Sequence, residues 1–133
     1  MKQAMKETSG KAEFSLLVED FVEEMVRVRE FGAQKYAKWD WMHGREWTDY
    51  SDALRRHLKA FLSGESCAPD SKCHHMAHIA VTAMFLFWFD RMGRGVDNRP
   101  GVMAERILEL LKEQDEREVA GDSYYDHLTS AVR

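Results

Sequence analysis

Three segments of this chain repeat apolar residues in alternating steps of four and three, and each repeat is broken by a side chain that ordinarily avoids a core. In the first, Leu17, Phe21, Val28 and Phe31 share one helical face with Glu24 among them. In the second, Tyr50, Leu54 and Phe61 share a face with His57. In the third, Phe85 and Phe89 continue a stripe that opens with His75, His78 and Thr82. That spacing is the mark of a helix facing a core. A carboxylate and imidazoles on such faces are costly to bury unless they are paired or bound to an ion. The pattern predicts an all-α helical bundle of four to five helices with a polar site in its middle, where Glu24, His57 and His78 meet.

The rest of the composition narrows the class. A chain of 133 residues supports one core, and its two prolines leave room for long helices. The net charge of −4 gives no general reason to bind a nucleic-acid polymer, which selects a basic face. The longest nearly apolar run, 79–89, is too short to span a membrane, and the first residues, MKQAMKETSGK, lack the apolar centre of a signal peptide. The expected compartment is the cytoplasm, with Cys67 and Cys73 reduced.

Breakers divide the chain. Residues 1–12 read as a flexible polar leader, 13–100 as the core domain and 101–133 as a C-terminal helical extension. Within these, a first helix is expected from Glu13 to Tyr36 with Ser15 as an early cap, and a second from Thr48 or Asp49 to Gly64. A third is expected from Cys73 to Met92, where Gly93, Gly95, Asp97 and Pro100 break it, and a fourth from Val102 to Val119. A short last helix is expected from Ser123 to Ala131.

The segment CHHMAHIA carries the densest chemistry. His75 and His78 are three apart, and His74 and His78 four apart, so either pair shares a helical face and can reach one ion. Hydrogen-bonded histidines at a helix start would give the same pattern. Glu65 at the end of the second helix and Asp70 in the following loop are placed to converge on an ion near the start of the third; solvated or capping carboxylates are the plainer reading. A zinc site from Cys67, Cys73, His74 and His78 competes, but its spacing is not a usual zinc pattern, and Cys73 reads better as a small hydrophobe. Lys35 and Arg56 are basic groups bordering the inward faces, where a guanidinium can grip phosphate oxygens; surface ion pairing is the alternative. Tyr36, Trp39, Trp41 and Trp47 cluster in the first connection, to close the core or to stack on a base. There is no Gly-rich phosphate loop and no serine nucleophile elbow.

The series FGAQKY at 31–36, Trp41, ALRRHLKAFLSGE at 53–65, PDS at 69–71, HMAH at 75–78 and DNRP at 97–100 resembles the phage and bacterial dATP/dGTP diphosphohydrolases, nearly without gaps over residues 16–100. Asp40 stands where that family has Asn before the tryptophan, and Ala68 and Lys72 where it has Asp and Gly. The family is related to the all-α pyrophosphohydrolases of MazG type. The resemblance implies a MazG-like bundle, an oligomer such as a homodimer or homotetramer, and cleavage of a deoxynucleoside triphosphate to monophosphate and pyrophosphate, with dGTP preferred. MazG-type enzymes hold magnesium with an ExxE pair and an ExxD pair; at the corresponding places this chain has His57 and Ala60, then His75 and His78.

A triphosphate carries several negative charges, and its in-line displacement is catalysed mainly by positioning and charge neutralisation. An acidic chain with few basic residues near the site needs a divalent cation for this, so Mg2+ or Mn2+ is expected, with Co2+ as a further candidate. The expected ligands are Glu24, Glu65, Asp70, His75 and His78; the expected catalytic groups are Glu24, His57 and His78; Lys35, Tyr36, Trp41 and Arg56 are expected to hold the nucleotide. A nucleotide- or metal-binding protein without catalysis, and a housekeeping pyrophosphohydrolase for damaged nucleotides, are the alternatives.

Overall fold

A computed structural model describes residues 9–121. It holds four α-helices: α1 (Glu19–Lys35), α2 (Trp47–Leu62), α3 (His75–Met92) and α4 (Pro100–Val119). Short 3-10 turns lie at Phe14–Leu16 and Asp40–His43. Two isolated bridges, Glu46 with Val96 and Cys67 with His74, are the only extended pairings among the described residues. The all-α expectation holds. No described helix is long and apolar enough to cross a membrane.

The central helix is α3, against which both α1 and α2 pack. Its inward face buries Ala77, Val81 and Phe89, and Val28 of α1 joins Cys73, Ala77 and Val81 in one cluster with Met25 and Phe85 against it. Cys73 is thus a core residue, as a small hydrophobe should be, while Cys67 is exposed. No zinc site forms from the pair.

The first helix starts later than its apolar pattern suggested. Leu17, which precedes the helix, is 60% exposed, and Phe21 in its first turn 40%. Ser15 falls in the 3-10 turn, and Val18 precedes the helix without a side-chain cap. Glu19 and Asp20 in the first turn suit the positive end of the helix dipole. Expected boundaries for α2 and α3 agree to within a turn. Gly93, left-handed at φ +63°, closes α3, whose other end is capped when His74 Nδ1 accepts from Met76 N at 3.0 Å. Pro100 does not merely break the chain; it occupies the first turn of α4, where its missing N–H costs nothing.

A stitch between residues 44–48 and 94–98 fixes the start of α2. Trp47 N donates to Val96 O and Val96 N to Arg45 O, each at 3.0 Å. Thr48 N donates to Asn98 Oδ1, and Asn98 Nδ2 donates to Thr48 Oγ1 at 2.7 Å. The first N–H groups of α2, orphaned in any helix, are therefore satisfied by Val96 and Asn98. Arg99 grips Asp97 with two donors and covers the Trp47 ring at 4.9 Å. Gly44 and Gly95 pass backbone to backbone here, both at positive φ; a Cβ on Gly95 would sit 2.5 Å from Arg45 O.

No residue of α4 is buried. Its apolar side, with Met103, Ile107, Leu108, Leu110 and Leu111, is exposed. The expected leader lies mostly, and the expected last helix wholly, outside the described residues.

Candidate active site

The polar groups that interrupt the stripes meet at one end of the three-helix core. His57 comes from α2, His75 and His78 from the first turn of α3, and Glu65, Asp70 and Ser71 from the connecting loop. His75 is 3% exposed and uses both ring nitrogens: Nε2 meets Glu65 Oε1 at 2.6 Å and Nδ1 meets His57 Nδ1 at 2.8 Å. The His57 ring lies flat on His78, with centroids 4.3 Å apart and planes 6° apart. His78 Nε2 meets Ser71 Oγ at 2.7 Å, and Ser71 Oγ also accepts from Cys73 N. Burial holds the His57 and His78 imidazoles below their ordinary range, helped by the charge of His75 on His57 and of His57 on His78, with Asp70 opposing at both. Both rings therefore stand neutral at pH 7.

Glu24 sits at the edge of this cluster. Its Oε1 accepts from His74 N at 3.1 Å, and its Oε2 takes Arg27 at 3.0 Å. The bond from His74 N holds its carboxyl below the usual range, with partial burial opposing. The Glu24 charge reaches His78, but the side chain opens on a separate polar depression shared with Arg27, Glu30, Gln34, Ser71 and Lys72. Of the three groups expected to share an interior, His57 and His78 touch and Glu24 borders them. Asp70 accepts from Ser71 N at 2.8 Å, which holds its carboxyl low, and lies 3.9 Å from Lys35 Nζ.

His75 spends both nitrogens inside the protein, Glu65 is turned to it, and Glu24 serves a backbone N–H and an arginine. Among the described residues no three His, Cys, Asp or Glu side chains converge to hold one ion. Glu24, Glu65, Asp70, His75 and His78 do not form a single shell as placed.

A cleft of about 440 Å³ opens beside His78. Lys35, Tyr36 and Trp41, three of the four residues expected to hold a nucleotide, line it together with His78. Arg56 does not; it is exposed on the outer face of α2, in a shallow depression with Arg45, Asp49 and Asp52. The aromatic cluster of the first connection is divided. Trp41 stacks on Phe85 at 4.6 Å in the cleft, Trp47 is buried and donates to Arg94 O, and Trp39 is 59% exposed against Lys38. Trp41 Nε1 is buried without a hydrogen-bond partner among the described residues.

Some cleft residues escaped sequence reasoning. Arg29 places its guanidinium 5.1 Å from the Phe85 ring and 5.7 Å from Trp41, and donates to Lys38 O at 2.8 Å. It sits one position off the buried stripe, where a cation ordinarily reads as surface. Asp40, Asp49 and Tyr50 face the same cleft. Asp40 alone carried a signal, as the residue where the resembling family has Asn.

The all-α core thus carries a histidine and carboxylate cluster beside an aromatic, lysine-bearing cleft. The chain belongs to the dATP/dGTP diphosphohydrolase family, whose N-terminal model matches residues 1–99 and so stops one residue before α4 begins. A protein of Salmonella phage PMBT28 named dATP/dGTP diphosphohydrolase is 34% identical over 96 residues, covering 72% of this chain and 31% of that protein. The chain thus spans less than a third of that relative's length as aligned. No solved structure matches.

Proposed function

We propose that this chain hydrolyses a purine deoxynucleoside triphosphate, dGTP and also dATP, to the monophosphate and pyrophosphate. The observation that carries the reading is His78, neutral and stacked on His57, in the wall of an aromatic cleft that also presents Lys35. Membership of a family named for this reaction supports the substrate class. Water attacks the α-phosphorus, an O–P bond forms, the bond to the bridging oxygen breaks, and pyrophosphate leaves. A neutral imidazole is the right kind of group to take the water's proton near pH 7. Tyr36, Trp41 and Phe85 offer ring faces to a purine, and Lys35 a cation to the phosphates.

The nucleotide is proposed to arrive as its complex with Mg2+ or Mn2+, with Co2+ as a substitute, so that the ion is part of the substrate. Asp40 and Asp49 in the cleft, together with Asp70 beside Lys35 and Glu24, whose charges reach His78, are the carboxylates offered to such a complex. The protein is proposed to work in the cytoplasm, host cytoplasm if phage-encoded, as a homodimer or homotetramer.

The test is direct. Each dNTP is offered with Mg2+, Mn2+ or Co2+, and pyrophosphate is assayed. Release from dGTP or dATP, lost on chelation and lost in His57→Gln, is the expected result. No pyrophosphate from any pairing refutes the enzyme and leaves a nucleotide-binding module.

A further inference from the structure

Resting on that reading, the geometry points to Arg29 as the residue that grips the polyphosphate of the bound nucleotide. The sequence suggested a guanidinium for this task at Arg56, which lies on the outer face of α2. Arg29, from the middle of α1, stands in the cleft wall instead.

The charge balance of the cleft singles it out. Three cationic side chains line the cleft: Arg29, Lys35 and Arg45. Lys35 has Asp70 at 3.9 Å and Arg45 has Asp49 at 3.7 Å, and both cations are exposed. Arg29 is half-buried, and no carboxylate pairs with it among the described residues. Burial alone pulls its pKa down from the ordinary guanidinium value, and an arginine so placed keeps its charge. A half-buried cation without a counter-charge costs free energy. The Phe85 and Trp41 rings, 5.1 and 5.7 Å away, offset part of that cost but neutralise nothing. An anion entering the cleft recovers the rest.

The donors are free to do this. A guanidinium has five N–H groups, and here Nη2 donates to Lys38 O. Nε and Nη1 have no protein acceptor among the described residues, and neither is sealed from solvent as Trp41 Nε1 is. Gly32, one turn on, has no side chain to cover Nη1, which lies 3.6 Å from where a Cβ would be. A planar fork with spare N–H groups matches phosphate oxygens. Arg29 also borders a second groove, whose lining of Met25, Trp39, Met84 and their neighbours is mainly apolar. The cleft is the side that adds Lys35 as a second cation.

The experiment uses the full chain labelled with ¹⁵N arginine. Titration with the Mg2+ salt of inorganic tripolyphosphate should move the Arg29 Nε–H resonance saturably and leave that of Arg56 in place. A stationary Arg29, or equal movement of both, overturns the assignment. The spectra read the wild-type chain, so they decide the matter even where a variant fails to fold. Calorimetry with Mg2+ and the uncleavable α,β-methylene analogue of dGTP gives a second readout. Arg29→Gln should weaken that analogue by about tenfold or more, the size of a lost bond to a charged group, and leave deoxyguanosine, which has no phosphate, unchanged. An equal loss for both ligands, or none for the analogue, overturns the proposal. Should wild type release no pyrophosphate from any dNTP, the hydrolase reading fails, and the tripolyphosphate titration still decides the role of Arg29.

Discussion

Replacing Gly95 by Ala should destabilise the protein by about 3–4 kcal/mol, and replacing Gly93 by Ala by only about 1–2 kcal/mol. Both glycines have positive φ, +73° and +63°. An alanine in that region costs about 1–2 kcal/mol from backbone sterics alone. At Gly93 nothing lies within 4 Å of an added Cβ, so the backbone term is the whole cost. At Gly95 the Cβ would meet Arg45 O at 2.5 Å and the Trp47 indole at 3.1 Å. The strand of chain must move away, which strains the bonds from Val96 N to Arg45 O and from Trp47 N to Val96 O. Each is worth about 1 kcal/mol net, so their loss adds about 2 kcal/mol. Urea unfolding at equilibrium measures the difference, with the slope m unchanged if only the folded state is affected. Two variants that agree within about 0.5 kcal/mol would refute the close approach and the reasoning built on it.

Three other outcomes are expected. Because burial depresses the His57 and His78 pKa values, the folded state binds fewer protons than the unfolded chain as pH falls through the ordinary imidazole range of about 6.5, so stability declines there; urea midpoints at pH 8, 6 and 5 should show the decline, and a His57→Gln, His78→Gln double variant should flatten it. Lys72 holds a left-handed φ of +63°, where the resembling family has glycine, so Lys72→Gly should raise stability by about 0.5–1 kcal/mol after the glycine's greater unfolded freedom is counted; an unchanged or lower urea midpoint would contradict this. Light scattering at micromolar concentration should return a mass above 15.5 kDa, and Leu108→Glu with Leu111→Glu should reduce it if the exposed side of α4 joins protomers; a wild-type mass of 15.5 kDa would dismiss the assembly.

Periodicity revealed much of the core because a helix repeats its environment every three or four residues. It placed His57 and His78 on facing sides of α2 and α3, where they stack. It misjudged the start of α1, since Leu17 obeys the period but lies before the helix, and both it and Phe21 are exposed. It marked α4 as amphipathic without revealing that α4 stands clear of the core within one protomer. The contact between Glu65 and His75 was beyond its reach. That contact depends on how the loop from Ser63 to His74 folds back, with His75 N bonding to Ser66 O and Ala68 N to Cys73 O. Arg29 was hidden for another reason: its stem leaves the edge of the stripe and its head folds over rings contributed by the first connection and α3. Asn98 was legible as part of a motif, yet its task, closing the first turn of α2 from 50 residues away, is a tertiary fact.

The flat stacking of two imidazoles sets a limit on how many protons the pair can store. At 4.3 Å, two unit charges repel by about 4 kcal/mol at an effective dielectric of 20, close to three decades in proton affinity. Two protons on His57 and His78 at once are therefore strongly disfavoured. On the proposed hydrolase reading, a proton drawn from water in one turnover has to leave before the next can begin. The natural exit is with the departing pyrophosphate, whose own affinity for protons rises as it separates. The emptying of the site and the resetting of its charge would then be a single event, and a slow proton departure would show as a solvent-isotope effect on product release rather than on bond cleavage.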